Sequence, residues 1–450
     1  MGLAEKAIAG ADYGCVEISL DHRKQKQGLL ILSVCAAAAM CFAAGRLWLA
    51  DARVRSNHLD RMERGAALVP GDGEAWDRVG HFRQWDLADP DPAGALEDYE
   101  KAVRDDPLSA HYWMDVASAR EETGDIAGAR GAFEQARAVY PMSAEVAWNY
   151  GNFLLRLEEY PEGFAQIREA VRVDPSLLPL AISRAWRSNH DVNLLLDRVL
   201  PANVEAYIQA LDFFAENRQT DAGLAVWKRL IELGKTFPLA RGFPFLDELI
   251  LDDRAEDARI VWPQALAAAG LPHEEPVDNS LIWNGDFAGE FLNGGLGWRW
   301  APQLGAAIDF DSATPPRGVR SVRLDFGGGT NVELNEPAQF VPVEPEHSYH
   351  FHAYMRTESI TTESGMRFMV ADAHGGGTAT LLTDNMTGSR PWTAVEGDVT
   401  TGPHTHFLRV CLFRAPSRLF ENKLSGTVWM AEVSLVPSEK SEKKEESPQL

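Results

Sequence analysis

The chain has 450 residues and carries 66 acidic against 43 basic side chains, which gives a formal net charge of −23. This length allows two or three domains, and a hydrophobic fraction of 45% with 13 tryptophans supports well-packed cores. The acidic excess argues against a nucleic-acid partner, because phosphate backbones are bound by clustered lysine and arginine. We interpret the excess as an acidic, solvated surface.

An apolar segment near the N-terminus predicts a membrane anchor. Residues 28–45 are uncharged, and residues 47–50 extend the apolar run past Arg46. At about 1.5 Å per helical residue this segment spans a bilayer core of roughly 30 Å. We therefore predict a cytoplasmic tail at 1–27 and a transmembrane helix at 28–50. A cleaved signal peptide is the alternative, although a polar lead of this length is long for one.

Charge does not set the orientation of this anchor, because basic residues flank it on both sides. They are Arg23, Lys24 and Lys26 before the segment, and Arg53, Arg55, Arg61 and Arg64 after it. A short tail inside with the large domain outside is the commoner arrangement and is our working prediction. Only Cys411 lies in that large domain, so no disulfide is expected within it.

A repeat with a period of 34 residues follows the anchor. Pro107, Pro141 and Pro175 are spaced by this period, and alignment on them superposes small and large apolar positions. The superposed sets are Ala95, Ala129 and Gly163, then Tyr99, Phe133 and Ile167, then Ala102, Ala136 and Ala170. Over residues 73–176 this pattern resembles the tetratricopeptide repeat, in which small residues let paired helices approach and proline ends the second helix.

Weaker units extend the helical pattern. Tyr207, Phe214, Gly223 and Trp227 fit one further repeat, and Phe245, Leu249, Ala258 and Trp262 fit another. Residues 180–200 have no assignable phase. We predict a connecting helix at 51–72 and an all-α solenoid at 73–270. Such a solenoid offers a concave surface to a protein or peptide partner, while its tryptophans and tyrosines at repeat positions are predicted to be core.

The hydrophobic period changes from 3.6 to 2 after a Pro- and acid-rich linker at 271–279. Val322, Leu324 and Phe326 alternate with polar neighbours, and residues 349–356, 366–370, 406–414 and 427–436 are read as further strands. About eight short strands separated by Gly and Pro turns predict an antiparallel all-β sandwich at 280–437. The charged residues 438–450 predict a disordered tail.

The motifs of this β segment follow a specific order. It opens on Leu281-x-x-Asn284-Gly285-Asp286-Phe287, continues with Gly297-Trp298 and Trp392, and closes on residues 429–435 (WMAEVSL). In this order the segment resembles the jelly-roll carbohydrate-binding modules with a galactose-binding-like fold. That resemblance implies glycan binding, and often a structural calcium at the corner of the opening and closing motifs.

Calcium needs six to eight oxygen ligands, and this chain lacks two of the acidic residues that the family motif supplies. Ala288 follows Phe287 where the family commonly has Glu, and Ala431 replaces the first closing Asp. Asp286 and Glu432 remain as the candidate calcium ligands.

Candidate glycan-binding residues lie on the polar sides of the predicted strands. Sugar rings stack on aromatic faces, and charged groups bind their hydroxyls. We predict one concave face lined by His350, His352, Tyr354, Arg356, Arg323, Arg367 and Arg409, with Trp300 as a stacking aromatic. The resemblance places Trp298 and Trp392 in the core. An ordinary solvated sheet surface is the alternative.

Two histidine pairs raise the alternative of a metal-dependent carbohydrate enzyme. His350-x-His352 and His404-x-His406 would each place two imidazoles on one side of a strand, with Glu358 nearby. The Glu spacing differs from that of cupin-like enzymes, and no G-x-S-x-G, P-loop or H-E-x-x-H motif is present. We therefore predict a non-enzymatic protein whose cofactor is at most a structural calcium.

The combination of anchor, repeats and sugar-module-like sandwich resembles bacterial envelope proteins associated with making or exporting extracellular polysaccharide. It implies a single-pass inner-membrane scaffold with its large domain in the periplasm. The repeats would dock a partner protein, and the sandwich would bind a polysaccharide. The alternative is a protein-only adaptor whose sandwich has lost sugar binding.

Overall fold

A computed structural model describes residues 23–271, 279–311, 316, 320–375 and 380–438 of the chain. The described residues form fourteen α-helices followed by nine β-strands. The chain divides into two compact units, with the boundary between Glu158 and Glu159. The predicted order of a helical repeat region followed by an antiparallel β region is confirmed.

The first unit contains the first seven helices. They are α1 (Arg23–Val54), α2 (Leu59–Ala66), α3 (Gly73–Gln84), α4 (Pro92–Asp105), α5 (Ala110–Glu122), α6 (Ile126–Val139) and α7 (Ala144–Arg156). Helices α3 to α7 each begin after an Asp or Ser whose side chain accepts a hydrogen bond from the backbone N–H three residues later. These caps supply partners for amides that the helix itself leaves unpaired.

Small residues set the spacing within the helix pairs of this unit, as the repeat pattern predicts. Gly80 on α3 faces the ring of Tyr99 on α4, where a β-carbon would lie 2.6 Å from the ring. Ala95 and Ala129 are fully buried, and the ring of Phe133 stacks on that of Tyr150 at 5.3 Å. The spacing of 34 residues therefore reflects close contact between helices.

Helix α1 continues from an exposed apolar stretch into last turns that pack beside α2. Its apolar part is long enough, by length and composition, to cross a membrane. In the last turns Ala50 and Val54 are buried beside α2, where a β-carbon on Gly65 would lie 2.9 Å from the Ala50 carbonyl oxygen. The predicted segment 28–50 is thus part of a longer helix and is exposed up to Leu49.

The helices of the second unit continue the repeat pattern. They are α8 (Tyr160–Val173), α9 (Leu178–Ser188), α10 (Val192–Arg198), α11 (Val204–Glu216), α12 (Thr220–Glu232), α13 (Phe243–Leu251) and α14 (Ala255–Ala268). Trp227 and Trp262 are buried as predicted, whereas Trp113 of the first unit is half-buried. Residues 180–200 fold as α9 and α10, and because α10 has only seven residues the period is lost there.

The β region of this unit consists of two antiparallel sheets. The strands are β1 (Ala306–Asp311), β2 (Ser321–Gly327), β3 (Ala338–Pro342), β4 (Ser348–Ile360), β5 (Arg367–Asp372), β6 (Thr380–Leu382), β7 (Gly388–Thr400), β8 (Phe407–Phe413) and β9 (Ser425–Pro437). A five-stranded sheet has the order β1-β2-β9-β4-β7, and a four-stranded sheet has the order β3-β8-β5-β6. Buried side chains from both sheets form one core, so the sheets pack face to face.

The β region packs directly on the last two helices of the same unit, through the segment that precedes β1. The rings of Trp262 on α14 and Trp283 meet edge to face at 5.6 Å. The Arg299 guanidinium pairs with Asp247 on α13, and Gly295 donates its N–H to the same carboxylate. Most of the predicted linker lies outside the described residues, yet the segments that it joins are held together by these contacts.

Candidate interaction surfaces

Helices α5, α6 and α7 of the first unit surround a cavity of about 190 Å³. Its lining consists of His111, Met114, Asp115, Ser118, Glu121, Phe133, Glu145, Asn149 and Arg156. His111 and Glu145 are one repeat period apart, as are Asp115 and Asn149, so equivalent faces of α5 and α7 line the cavity. Residues four apart on a helix share a face, which brings these side chains to one groove. We call it the repeat groove.

The repeat groove has three acidic lining residues, Asp115, Glu121 and Glu145. Arg156 is its one basic lining residue, and its Nε and Nη2 atoms donate to the two carboxylate oxygens of Glu121 at 2.6 Å each. Burial, together with the nearby carboxylate of Asp77, raises the pKa of Asp115 to about 8. Because Arg156 pairs with Glu121 and a carboxyl with this pKa is largely neutral near pH 7, the negative charge of the groove lies mainly on Glu145, and it favours a partner that brings positive charge or hydrogen-bond donors.

Strand β4 displays the predicted polar stripe on the outer side of the five-stranded sheet. His350, His352, Tyr354 and Arg356 are half-buried and alternate with buried neighbours. His350 Nδ1 lies 2.8 Å from Asp398 on β7, and the His352 and Tyr354 rings meet edge to face at 4.9 Å. The four predicted residues therefore share one surface, which we call the β4 face.

Arg323 joins the β4 face through Trp429, an aromatic residue that was not among the predicted glycan-binding residues. The guanidinium carbons of Arg323 and Arg356 lie 5.6 and 4.5 Å from the ring centre of Trp429. The Trp429 indole is only 6% exposed and donates to Asp311 at 3.0 Å. Asp325 accepts from Arg323 and raises the pKa of that guanidinium. Trp429 therefore organises the arginines and leaves little ring surface for a ligand.

Arg367 and Arg409 do not belong to this face. They lie on β5 and β8 of the four-stranded sheet, and Arg409 donates to the Asn335 carbonyl oxygen at 2.6 Å. The expectation that both would line one surface with the β4 stripe is wrong. An alternation of period 2 assigns a side chain to one side of its strand but does not tell which sheet the strand joins.

The tryptophans divide differently from the prediction. Trp298 is fully buried and donates to the Asn284 carbonyl oxygen at 3.2 Å, which confirms its core position. Trp300 is half-buried against the same core. Trp392 was expected in the core but is half-buried, because it lies on the outer side of β7, whereas the core side is formed by Val395 and Val399. Alternation places Trp392 on the side of Ala394, which pairs with Tyr354.

Asp286 and Glu432 lie on segments that are hydrogen bonded to each other, since Val433 donates to the Gly285 carbonyl oxygen at 2.9 Å. Asp286 Oδ1 already accepts from the Ala288 N–H at 3.2 Å. Among the described residues, no third carboxylate, histidine or cysteine joins them in a metal-binding group. A calcium ion at this corner would need backbone carbonyls for most of its ligands.

The two histidine pairs do not converge. His350 and His352 lie on β4, whereas His404 and His406 precede β8 of the other sheet. His406 and His374 instead face Asp253 at the end of α13, at 4.0 and 3.7 Å. Burial raises the pKa of Asp253, although both histidines act in the opposite direction. These four histidines therefore do not come together at one position where a metal ion could bind, as the metal-enzyme alternative requires.

Comparison with known proteins identifies the repeats. The tetratricopeptide repeat model matches residues 87–132 and 115–177. The mRNA 3'-end-processing protein rna-14 of Neurospora crassa is 28% identical over 80 residues, which are 18% of this chain and 7% of that protein. The chain thus spans only a small part of the length of this curated relative.

Among solved structures, the chain is similar to a crystal structure of MamA, to which it is 16% identical. The alignment covers 39% of this chain and 85% of that chain, and the TM-score is 0.25. The first TPR of Spaghetti (RPAP3) bound to HSP90 peptide SRMEEVD has 15% identity, coverages of 27% and 94%, and a TM-score of 0.24. The Arabidopsis OM64 TPR domain has 19% identity, coverages of 26% and 95%, and a TM-score of 0.23. The family match, together with the helix pairs and their proline spacing, shows that residues 87–177 of this chain are tetratricopeptide repeats.

Proposed function

We propose that the chain is a non-enzymatic, membrane-anchored scaffold whose repeat groove binds a protein partner. The observation that carries this proposal is the groove itself, built by tetratricopeptide repeats and lined by acidic side chains. Its charge favours an extended segment that carries lysine or arginine. Helix α1 supports the anchor, because its apolar part is exposed while its last turns are packed beside α2.

Charge reversal in the groove tests this proposal. We expect Glu145→Lys to weaken binding of basic peptides by about tenfold, since a close charge pair at an interface contributes about 1.5 kcal/mol or more. Fluorescence anisotropy with the full chain and matched Lys-rich and Glu-rich peptides measures the effect. Glu134→Lys on the exposed side of α6 is the control and keeps the wild-type affinity. Equal binding of both peptide classes would contradict the proposed groove.

We propose further that the sandwich is a jelly roll that binds glycan on the β4 face. Apart from the edge strand β1, the two sheets have the strand orders β2-β9-β4-β7 and β3-β8-β5-β6. These orders support a jelly roll, in which eight strands form two Greek keys across two packed sheets. Half-buried Tyr354 and Trp392 offer apolar ring faces, and His352 and Arg356 offer polar groups beside them. The covered ring of Trp429 and the two replaced acidic residues favour the alternative, a protein-only adaptor.

A glycan array probed with the full chain distinguishes these two functions. The sugar-binding function predicts ligands that are lost in the double variant Tyr354→Ala and Arg356→Ala. Arg367→Ala is the matched control, because this arginine lies on the other sheet. An array without ligands, or one that responds to Arg367→Ala as strongly as to the double variant, would favour the adaptor.

We place this scaffold in the bacterial inner membrane, with the repeats and sandwich on the periplasmic side, in polysaccharide assembly or export. The support is the order of anchor, repeats and sugar-module-like motifs along the chain. Protease protection of the large domain in intact spheroplasts would contradict this orientation. Neighbouring genes for glycosyltransferases or an exporter would support the pathway.

A further inference from the structure

Four potential metal ligands meet between the first helices of two successive repeats. Asp77 and His81 lie four residues apart on α3, and His111 and Asp115 lie four residues apart on α5. Each spacing puts both side chains on one face of their helix. One ligand atom from each of the four residues lies within 4.8 Å of the other three.

The separations within this cluster suit a small cation better than direct hydrogen bonds. His81 Nε2 lies 3.5 Å from Asp115 Oδ1, and His111 Nε2 lies 3.6 Å from Asp115 Oδ2. A tetrahedral ion with bonds of about 2.0 Å holds its ligand atoms about 3.3 Å apart. Nitrogen–oxygen hydrogen bonds are shorter, at about 2.9 Å. Small side-chain shifts would therefore complete a four-ligand site.

The orientation of His81 is already fixed by a second interaction. Its Nδ1 lies 3.1 Å from the Asp77 carbonyl oxygen, which can only accept, so this nitrogen carries the proton. The neutral ring then presents the lone pair of Nε2 to Asp115. Histidines that bind metal commonly donate their other N–H to a backbone carbonyl in this way. Tyr99 packs edge to face on the same ring at 5.3 Å and restricts its movement.

Two carboxylate oxygens of the cluster are buried without a hydrogen-bond donor. They are Asp77 Oδ1 and Asp115 Oδ2, and Asp77 is only 7% exposed. A buried carboxylate oxygen without a donor is unfavourable, because it has lost its hydration and gained no hydrogen bond in exchange. In the metal-bound form, with both aspartates ionised and both histidines neutral, the four side chains would carry a charge of −2, which one divalent cation neutralises.

An imidazolium at His81 is the competing arrangement. Asp77 and Asp115 raise the pKa of His81 to about 9, against the opposing effect of its burial. A protonated His81 would offset part of the negative charge. It would not supply a donor to Asp77 Oδ1 or Asp115 Oδ2, because its Nδ1 proton is already directed at a carbonyl oxygen. Without a metal ion, a proton retained on the Asp115 carboxyl is the remaining donor within the cluster.

We propose that Asp77, His81, His111 and Asp115 bind one divalent first-row transition-metal ion, zinc in particular, which joins α3 to α5. Imidazole ligands favour zinc and its neighbours, whereas calcium and magnesium prefer all-oxygen sites. Four protein ligands complete a tetrahedral shell, so the ion is structural and holds two repeats in register. Two of the ligands, His111 and Asp115, also line the repeat groove, so a bound ion would form part of one wall of that groove.

Metal titration of the full chain tests the proposal. The protein is purified in detergent, stripped with a chelator and titrated with Zn²⁺ against a chromogenic competitor. We expect one equivalent per chain, and Co²⁺ in its place should give the strong visible absorption of a tetrahedral ion. His111→Gln should weaken Zn²⁺ binding by more than about tenfold, since even outer-shell changes have effects of that size.

Two kinds of control separate a metal site from a folding effect. The His111 side chain is 54% exposed, so its replacement leaves the core intact, and thermal unfolding of the metal-free variant checks this. Glu74→Gln removes an exposed carboxylate on α3, the helix of Asp77 and His81, and His404→Gln removes an exposed histidine elsewhere. Both should retain wild-type Zn²⁺ affinity. Absence of stoichiometric binding, or equal affinity in a His111→Gln and Asp115→Asn double variant, would overturn the proposal.

Discussion

Arg414→Leu is expected to lower the free energy of unfolding of the sandwich by about 3 kcal/mol or more, because it leaves several buried acceptors without donors. The Arg414 side chain is fully buried at the end of β8. Its guanidinium donates to the Val332 and Ser364 carbonyl oxygens and to the Thr362 hydroxyl. One side chain thus joins β8 to two separate loops.

Burial lowers the pKa of Arg414. The carbonyl and hydroxyl oxygens that accept from its guanidinium are neutral. Arg414→Lys keeps the charge but lacks the planar fork that reaches several acceptors at once, and its loss should be intermediate. Chemical denaturation followed by circular dichroism measures both variants. Arg418→Leu, at an exposed arginine nearby, should stay within about 0.5 kcal/mol of wild type. An Arg414→Leu variant as stable as this control would show that the network is dispensable.

Local patterns in the sequence predicted the elements well. The 34-residue spacing reports contacts such as Gly80 against Tyr99, which are made within one helix pair and recur in each repeat. Alternation along β4 identified its buried and half-buried sides for the same reason. Such signals are local, because each depends on residues that are neighbours in one element or in adjacent ones.

Contacts between residues that are distant along the chain could not be predicted from such local patterns. Arg367 and Arg409 were grouped with β4 because nothing local states which sheet a strand joins. In the sequence Arg414 is only the polar end of a strand, since its acceptors are contributed by residues 50 or more positions earlier. The cluster of Asp77, His81, His111 and Asp115 did carry a local signal: each helix has an Asp and a His four residues apart.

The junction between helices and sandwich is the largest feature that the sequence did not reveal. A Pro- and acid-rich stretch at 271–279 suggested two separate bodies joined by a linker. Contacts of Trp262 with Trp283 and of Asp247 with Arg299 instead join the last helices to the sheets. A partner bound on these helices and a ligand on the sandwich would therefore act on one connected body.

Gly295→Ala is expected to disrupt this junction by about 2–5 kcal/mol, through two separate effects. Gly295 has φ of +55°, a conformation that is unfavourable for an L side chain by about 1–2 kcal/mol. A β-carbon there would also lie 2.7 Å from the ring of Trp262, which is buried and packed against Trp283. Overpacking of this kind adds about 1–3 kcal/mol.

A matched glycine separates the two effects. Gly388 has φ of +66°, and a β-carbon on it would meet no atom within 4 Å, so Gly388→Ala carries the backbone cost without the clash. Calorimetry of the full chains should show a larger shift for Gly295→Ala, with the sandwich melting apart from the helices that precede it. Equal shifts in the two variants would mean that the Trp262 contact yields easily and does not couple the helices to the sheets. A larger shift for Gly295→Ala would show that close packing against Trp262 and Leu246 stabilises the junction, because both substitutions carry the cost of a positive φ.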